Sequence, residues 1–154
     1  MKTDSEMVQK VVEQAKANLK TSELLPTFFV GNTDKMVMIG AQWEDEGDKD
    51  MVAYRVKRIA HEIGADYVIF VSESWTIKPE DAPEFMANRD KYRSVSDFPK
   101  CFEVVMFSIE TPTSMRMGMA PILEGREMGE IKWHQPDQSE GRFSNFLGKK
   151  PTLN

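Results

Sequence analysis

Within IFVSESWTI, residues 69–77, a carboxylate interrupts an otherwise apolar strand. Alternation at the strand period places Tyr67, Ile69, Val71, Glu73, Trp75 and Ile77 on one face, and Val68, Phe70, Ser72, Ser74 and Thr76 on the other. Glu73 therefore shares the aromatic and aliphatic side, where a carboxylate has to be paired, protonated or close to the open end of the sheet. Arg116, Arg89, Lys91 and Arg93 are the candidate partners. Three readings follow. A fixed arginine makes Glu73 structural; a strand leaving the core by Ser72 makes it half-exposed; a desolvated Glu at a strand end makes a general base or an anchor for a ligand. In the third reading Arg116 or Arg89 holds an anionic substrate group, and Ser72 or Ser74, with Trp75 alongside, orients it.

Other chemistry is poorly supplied. His61 and His134 are the two histidines, and His134 with Asp137 is too small a set for a metal, even if Glu73 or Glu110 joined it. Cys101, the single cysteine, excludes an intrachain disulfide and a cysteine zinc site, and reads as a small buried hydrophobe. The run WEDEGDKD (43–50) superficially suggests calcium but lacks alternating ligands and a distant closing Glu, so it reads as a solvated loop before a helix. GNTDK and GREMG are not nucleotide loops, no GxSxG surrounds Ser72 or Ser74, and no aromatic platform for RNA is recognisable. No metal and no cofactor is expected.

A chain of 154 residues, 40% apolar and 10% aromatic, is long enough for a single domain with its own core. Its charge of -5, from 25 acidic against 20 basic residues, disfavours nucleic acid as a partner. The N-terminus lacks a signal-peptide pattern and no apolar run is long enough for a membrane span, so the expected setting is reducing and cytoplasmic, away from membranes.

The elements that must position Glu73 are legible from periodicity. Val8, Val11, Val12, Ala15 and Leu19 mark an amphipathic helix capped by Asp4 or Ser5, free to lie on the domain or to pair with a second copy. TFFV, the turn GNTDK and MVMIGAQW make a hairpin whose second strand is apolar on both faces, which predicts a central or covered position with Met36 and Met38 as core filler. A helix capped by Asp48 or Asp50 runs to about Ile63 and ends at Gly64, burying Val52, Val56, Ile59, Ala60 and Ile63 while His61 faces solvent. ADYVIFVSESWTI follows, and the strand, helix, strand succession predicts a crossover with parallel pairing. Residues 78–100 form an irregular excursion with a short helix near Pro83–Asn88. CFEVVMFSIE, MRMGMAPIL and EIKW supply three more strands. In MRMGM, Met115, Met117 and Met119 either fill the core under a helix or present an adaptable apolar surface. The tail, 135–154, reads as irregular, pinned by Phe143, Phe146 and Leu147. The expectation is an α+β domain over 1–154: a two-layer α/β sandwich with a mixed, mainly antiparallel sheet, in the order α-β-β-α-β-β-β-β.

VIFVSESW, followed by KPEDAPEFMANRDKYRSV, resembles a group of small bacterial and bacteriophage-type proteins of unknown function. Those have a strand ending in a Ser-Glu-Ala-Trp-like phrase and a later proline-acidic-arginine segment. Ser74 stands where they have alanine, and Pro83, Glu84 and Arg89 correspond to the later phrase. The resemblance spans residues 65–95, implies a prokaryotic domain and assigns no activity. The leading functional expectation is a non-enzymatic module that binds a protein partner or associates as a homodimer. The alternative is a small hydrolase or ligand-binding protein using Glu73 with a nearby arginine.

Overall fold

Alternating apolar residues assemble into one six-stranded sheet, and the two long amphipathic stripes settle on its opposite faces. The computed structural model describes residues 2–135 and 146–147. Its elements are α1 (Lys2–Leu19), β1 (Thr27–Gly31), β2 (Met36–Gly40), α2 (Glu46–Ile63), β3 (Tyr67–Thr76), α3 (Ala82–Ala87), β4 (Phe102–Thr111), β5 (Ser114–Pro121) and β6 (Lys132–His134). The class is α+β and the element order is the predicted one, with α3 inside the excursion.

The strands lie in the order β2-β1-β3-β4-β5-β6, every neighbouring pair antiparallel. The expected parallel pairing around α2 does not form. β2 and β3 do run in the same direction, but β1 lies between them and bonds to both.

On one face α1 buries Val11, Ala15 and Leu19 against Phe29, Tyr67, Ile69, Val71, Val105, Phe107 and Ile109. On the other face α2 buries Val56 and Ala60 against Phe28, Val30, Ile39 and Val68. Helix-on-sheet packing is thus present on both sides, with α1 taking the side that α2 leaves open. α1 begins before Ser5, so Ser5 is a helical residue and not its cap.

The acidic run WEDEGDKD starts α2. Asp45, not Asp48 or Asp50, is the cap: it accepts from the Asp48 backbone N–H at 2.8 Å, while the Asp48 carboxylate accepts from the Glu44 N–H at 3.1 Å. Reciprocal capping satisfies otherwise orphaned N–H groups and puts negative charge at the positive end of the helix dipole. Gly64 ends the helix at φ 64°, as its position predicts, and His61 in the last turn is half-buried rather than fully solvent-facing.

β2 is an edge strand, which corrects the covered position expected for it. β1 uses its other side to bond β3, so β2 has a single partner among the described residues, and Met36 and Met38 are exposed, Met38 to 53%. They are not core filler.

The excursion is held by an aromatic cluster of Phe85, Tyr92 and Phe98, with ring centroids 5.3–5.9 Å apart. Met115, Met117 and Met119 are half-buried and belong to neither core cluster.

Candidate functional site

Glu73 lies on the α1 side of β3, one alternation past Val71, where the apolar core ends. Its side chain is 8% exposed and carries three contacts. Nη2 of Arg126 donates to both carboxylate oxygens, at 3.0 and 2.9 Å, and the Leu24 backbone N–H donates to Oε2. Arg126 in turn donates from Nε to the Leu19 carbonyl at 2.8 Å and from Nη2 to the Ser22 carbonyl at 3.3 Å.

Those two carbonyls belong to the end of α1 and the turn after it, where helical carbonyls lack intrahelical donors. A guanidinium there both bonds them and complements the negative end of the helix dipole. One ion pair thereby ties together β3, the α1–β1 connection and the β5–β6 connection.

Backbone geometry aims Arg126. The turn between β5 and β6 closes with Leu123 N–H to Glu127 carbonyl at 2.7 Å, and places Gly125 at φ 72° and Arg126 at φ 58°. A left-handed conformation at a residue with a Cβ costs about 1–2 kcal/mol. The side chain's four acceptor oxygens at the other end offset that cost.

The residues expected to cooperate with Glu73 are not brought to it. Register explains Arg116: it stands across from Ile109, itself across from Ile69, whereas Glu73 is level with Val105 and Ala120. Four residues of strand separate the two levels, roughly 13 Å. Arg116 lies instead over the Trp133 ring, 5.3 Å from its centroid. Arg89 lies over Phe85 at 6.0 Å. Ser72 and Ser74 point to the α2 side, and Ser74 is exposed with its hydroxyl 3.4 Å from the Trp75 carbonyl. Trp75 shares the Glu73 side and is exposed. Lys91 and Arg93 lie exposed in the excursion. The arginine that does hold Glu73 sits in GREMG, which sequence reading treats only as a turn.

Glu110, which the sequence offers only as a companion to His134 and Asp137, is a second buried carboxylate. Glu110 is 6% exposed, and its two oxygens accept from the backbone N–H groups of Phe146 and Leu147 at 2.8 and 2.7 Å. The Phe146 ring packs edge-on to Phe28, with centroids 5.7 Å apart. Phe146 and Leu147 thus pin the tail as expected, whereas Phe143 and Asp137 lie outside the described residues. The signal for Glu110 was the same as for Glu73: a lone carboxylate ending an apolar strand.

Among the described residues no group of three His, Cys, Asp or Glu side chains converges as a metal site requires. Cys101 is half-buried, with Sγ 3.6 Å from the Ser96 carbonyl.

The edge of β2 has a definite phase. The Asn32 N–H bonds the Lys35 carbonyl at 2.9 Å and the Ala41 N–H bonds the Pro26 carbonyl at 2.8 Å. In an antiparallel ladder, bonded and non-bonded pairs alternate. Residues 35, 37, 39 and 41 therefore bond inward to β1, and Met36, Met38 and Gly40 turn their N–H and C=O groups outward. The same methionines carry exposed apolar side chains, and Leu25 adds a third.

Comparison of the chain with protein-family models, with curated proteins and with solved structures finds no match in any of the three.

Proposed function

We propose that this chain is a non-enzymatic self-associating module whose contact is the open edge of β2, paired antiparallel with β2 of a second copy. The observation that carries the reading is the outward row of Met36, Met38 and Gly40. An edge with no charged residue, proline or bulge is a template for another strand, which proteins normally blunt where pairing is unwanted. β6, at the far side of the sheet, is only three residues long and carries Lys132 and His134. The two ends of the sheet are therefore unlike.

A two-fold axis through Met38 joins Met38 to its own copy and Met36 to Gly40, matching outward groups with outward groups. Gly40 has open space where a Cβ would stand, so its partner's Met36 meets no side chain there. Main-chain pairing of this kind gives affinity, and alternate side chains give specificity.

The state of Glu73 supports the same reading. Its side chain is 8% exposed and accepts from Arg126 and Leu24, the arrangement of a structural carboxylate that ties elements together. The acidic balance supports a protein partner over nucleic acid. A single half-buried cysteine, the lack among the described residues of a helix long and apolar enough to cross a membrane, and the resemblance over residues 65–95 support a prokaryotic cytoplasmic setting.

Sedimentation equilibrium of the wild type and Met38→Lys tests the reading. The proposal expects a reversible dimer for the wild type and a monomer, equally stable at low concentration, for the variant. A wild type that stays monomeric throughout, or a dimer indifferent to Met38→Lys, contradicts it.

A further inference from the structure

On the α2 side of the sheet, the half formed by β4, β5 and β6 carries an open groove of about 710 Å³ that none of the features above uses. Its floor is apolar: Val104, Met119 and Pro121 are joined in register across β4 and β5, so their side chains share this face. Lys132 stands beside Met119 in the ladder and His134 beside Met117, which places both over the same face. Lys78, from the segment after β3, also lines the groove.

Small-molecule sites commonly occupy about 300–1,000 Å³, with an apolar lining and a few orienting polar groups. The groove matches in size and in character. Methionine is the residue best able to repack around an apolar guest, and Met119 is half-buried, so part of its side chain is available to one.

The rim carries Lys78, Lys132 and His134 beside the carboxylates Glu80 and Glu130, and Lys132 and His134 stand two residues apart over the same face. A lysine stem can lie along apolar surface and deliver its ammonium over the mouth, and the shorter glutamate reaches less far. An imidazole N–H from His134 adds another donor. We infer that the groove is a binding site for a small amphipathic anion, an alkyl or aryl chain of modest length carrying a carboxylate or sulfate, its chain on Val104 and Met119 and its anionic head at Lys132 and His134.

Sodium octanoate and octyltrimethylammonium chloride, which share a chain and differ in head charge, make a matched pair of probes. Each is titrated into the full chain labelled at backbone ¹⁵N and methionine methyl ¹³C. Octanoate is expected to shift the Met119 methyl and the Val104 and Lys132 amides saturably, and the ammonium probe to leave them unmoved at the same concentration. Reversing the lysine charge, in Lys132→Glu, is expected to weaken octanoate by at least about tenfold. An unchanged unfolding midpoint shows that this variant is intact. Equal binding of both probes, shifts centred on Met38, an unaffected Lys132→Glu variant, or no saturable shift with octanoate overturns the assignment. Because its reporters lie across the sheet from β2, this result stands apart from the dimerisation test.

Discussion

A single nitrogen, Nη2 of Arg126, bridges both carboxylate oxygens of Glu73, at 3.0 and 2.9 Å, across 53 residues of sequence. Since the same guanidinium also bonds the Leu19 and Ser22 carbonyls, removing it takes a donor from the end of α1 and leaves a carboxylate 8% exposed with the Leu24 N–H but without its counter-charge. Arg126→Met is expected to cost about 2–4 kcal/mol in urea unfolding. Arg126→Lys recovers little, because an ammonium does not span acceptors arranged for a planar fork. A double-mutant cycle with Glu73→Gln should give a coupling of about 1–3 kcal/mol. Additive losses would mean that the pair does not act as a unit.

Glu110 and Phe146 predict a second coupled loss. Phe146→Ala empties a slot at a ring 2% exposed and is expected to cost about 3–4 kcal/mol. Glu110→Gln replaces one acceptor with a donor facing a backbone N–H, at a cost of about 1–3 kcal/mol. Hydrogen exchange at the Phe146 and Leu147 amides reads the effect locally: both should be protected in the wild type and exchange much faster in Glu110→Gln. Equal protection in the two proteins would exclude the carboxylate as their acceptor.

Much of this architecture is legible in the sequence, and the failures have identifiable causes. Period-two and period-3.6 patterns locate every long element, because one face of each is buried and the pattern records burial. Pairing is less accessible: the MVMIG pattern, apolar on both sides, reads as covered, and only the strand order shows that β1 spends its second edge on β3. Arg116 was a reasonable partner for Glu73 by face but not by level, and level depends on register. Arg126 left no periodic trace, since a turn residue at φ 58° directs its side chain by local backbone geometry.

Close packing at glycines can be tested stringently. A Cβ on Gly31 would stand 2.5 Å from the Tyr67 hydroxyl and 2.7 Å from the Lys35 carbonyl, and one on Gly118 would stand 2.7 Å from the Trp133 ring. The Lys35 carbonyl is backbone and cannot swing aside. Gly31→Ala should therefore destabilise by about 2–3 kcal/mol, at the upper part of the range for overpacking. Gly118→Ala should displace the half-exposed Trp133 at lower cost and red-shift its fluorescence. An unperturbed Gly31→Ala protein would contradict the close approach of Lys35 and Tyr67 to β1.

The excursion carries a pH signature. Lys100 titrates above the ordinary lysine value of 10.5, chiefly because it hydrogen-bonds Glu84, with the Glu84 charge next in weight. A raised folded-state value means that the contribution to stability is fully present below the unfolded pKa and is lost as pH rises through the folded one. NMR titration of the Lys100 side chain should show its midpoint fall toward the ordinary value in Glu84→Gln. No change on that substitution would remove Glu84 as the cause.

The edge itself can be observed directly. Amide hydrogen exchange at Met36, Met38 and Gly40, followed as protein concentration rises through the association range, reports whether the outward N–H groups of β2 acquire partners. Self-association through this edge predicts fast exchange at these three positions in dilute protein and protection that grows with concentration, while Val37 and Ile39, bonded inward to β1, stay protected throughout. Exchange at Met36, Met38 and Gly40 that remains fast in a sample shown to be dimeric would contradict that account and place the contact elsewhere on the molecule.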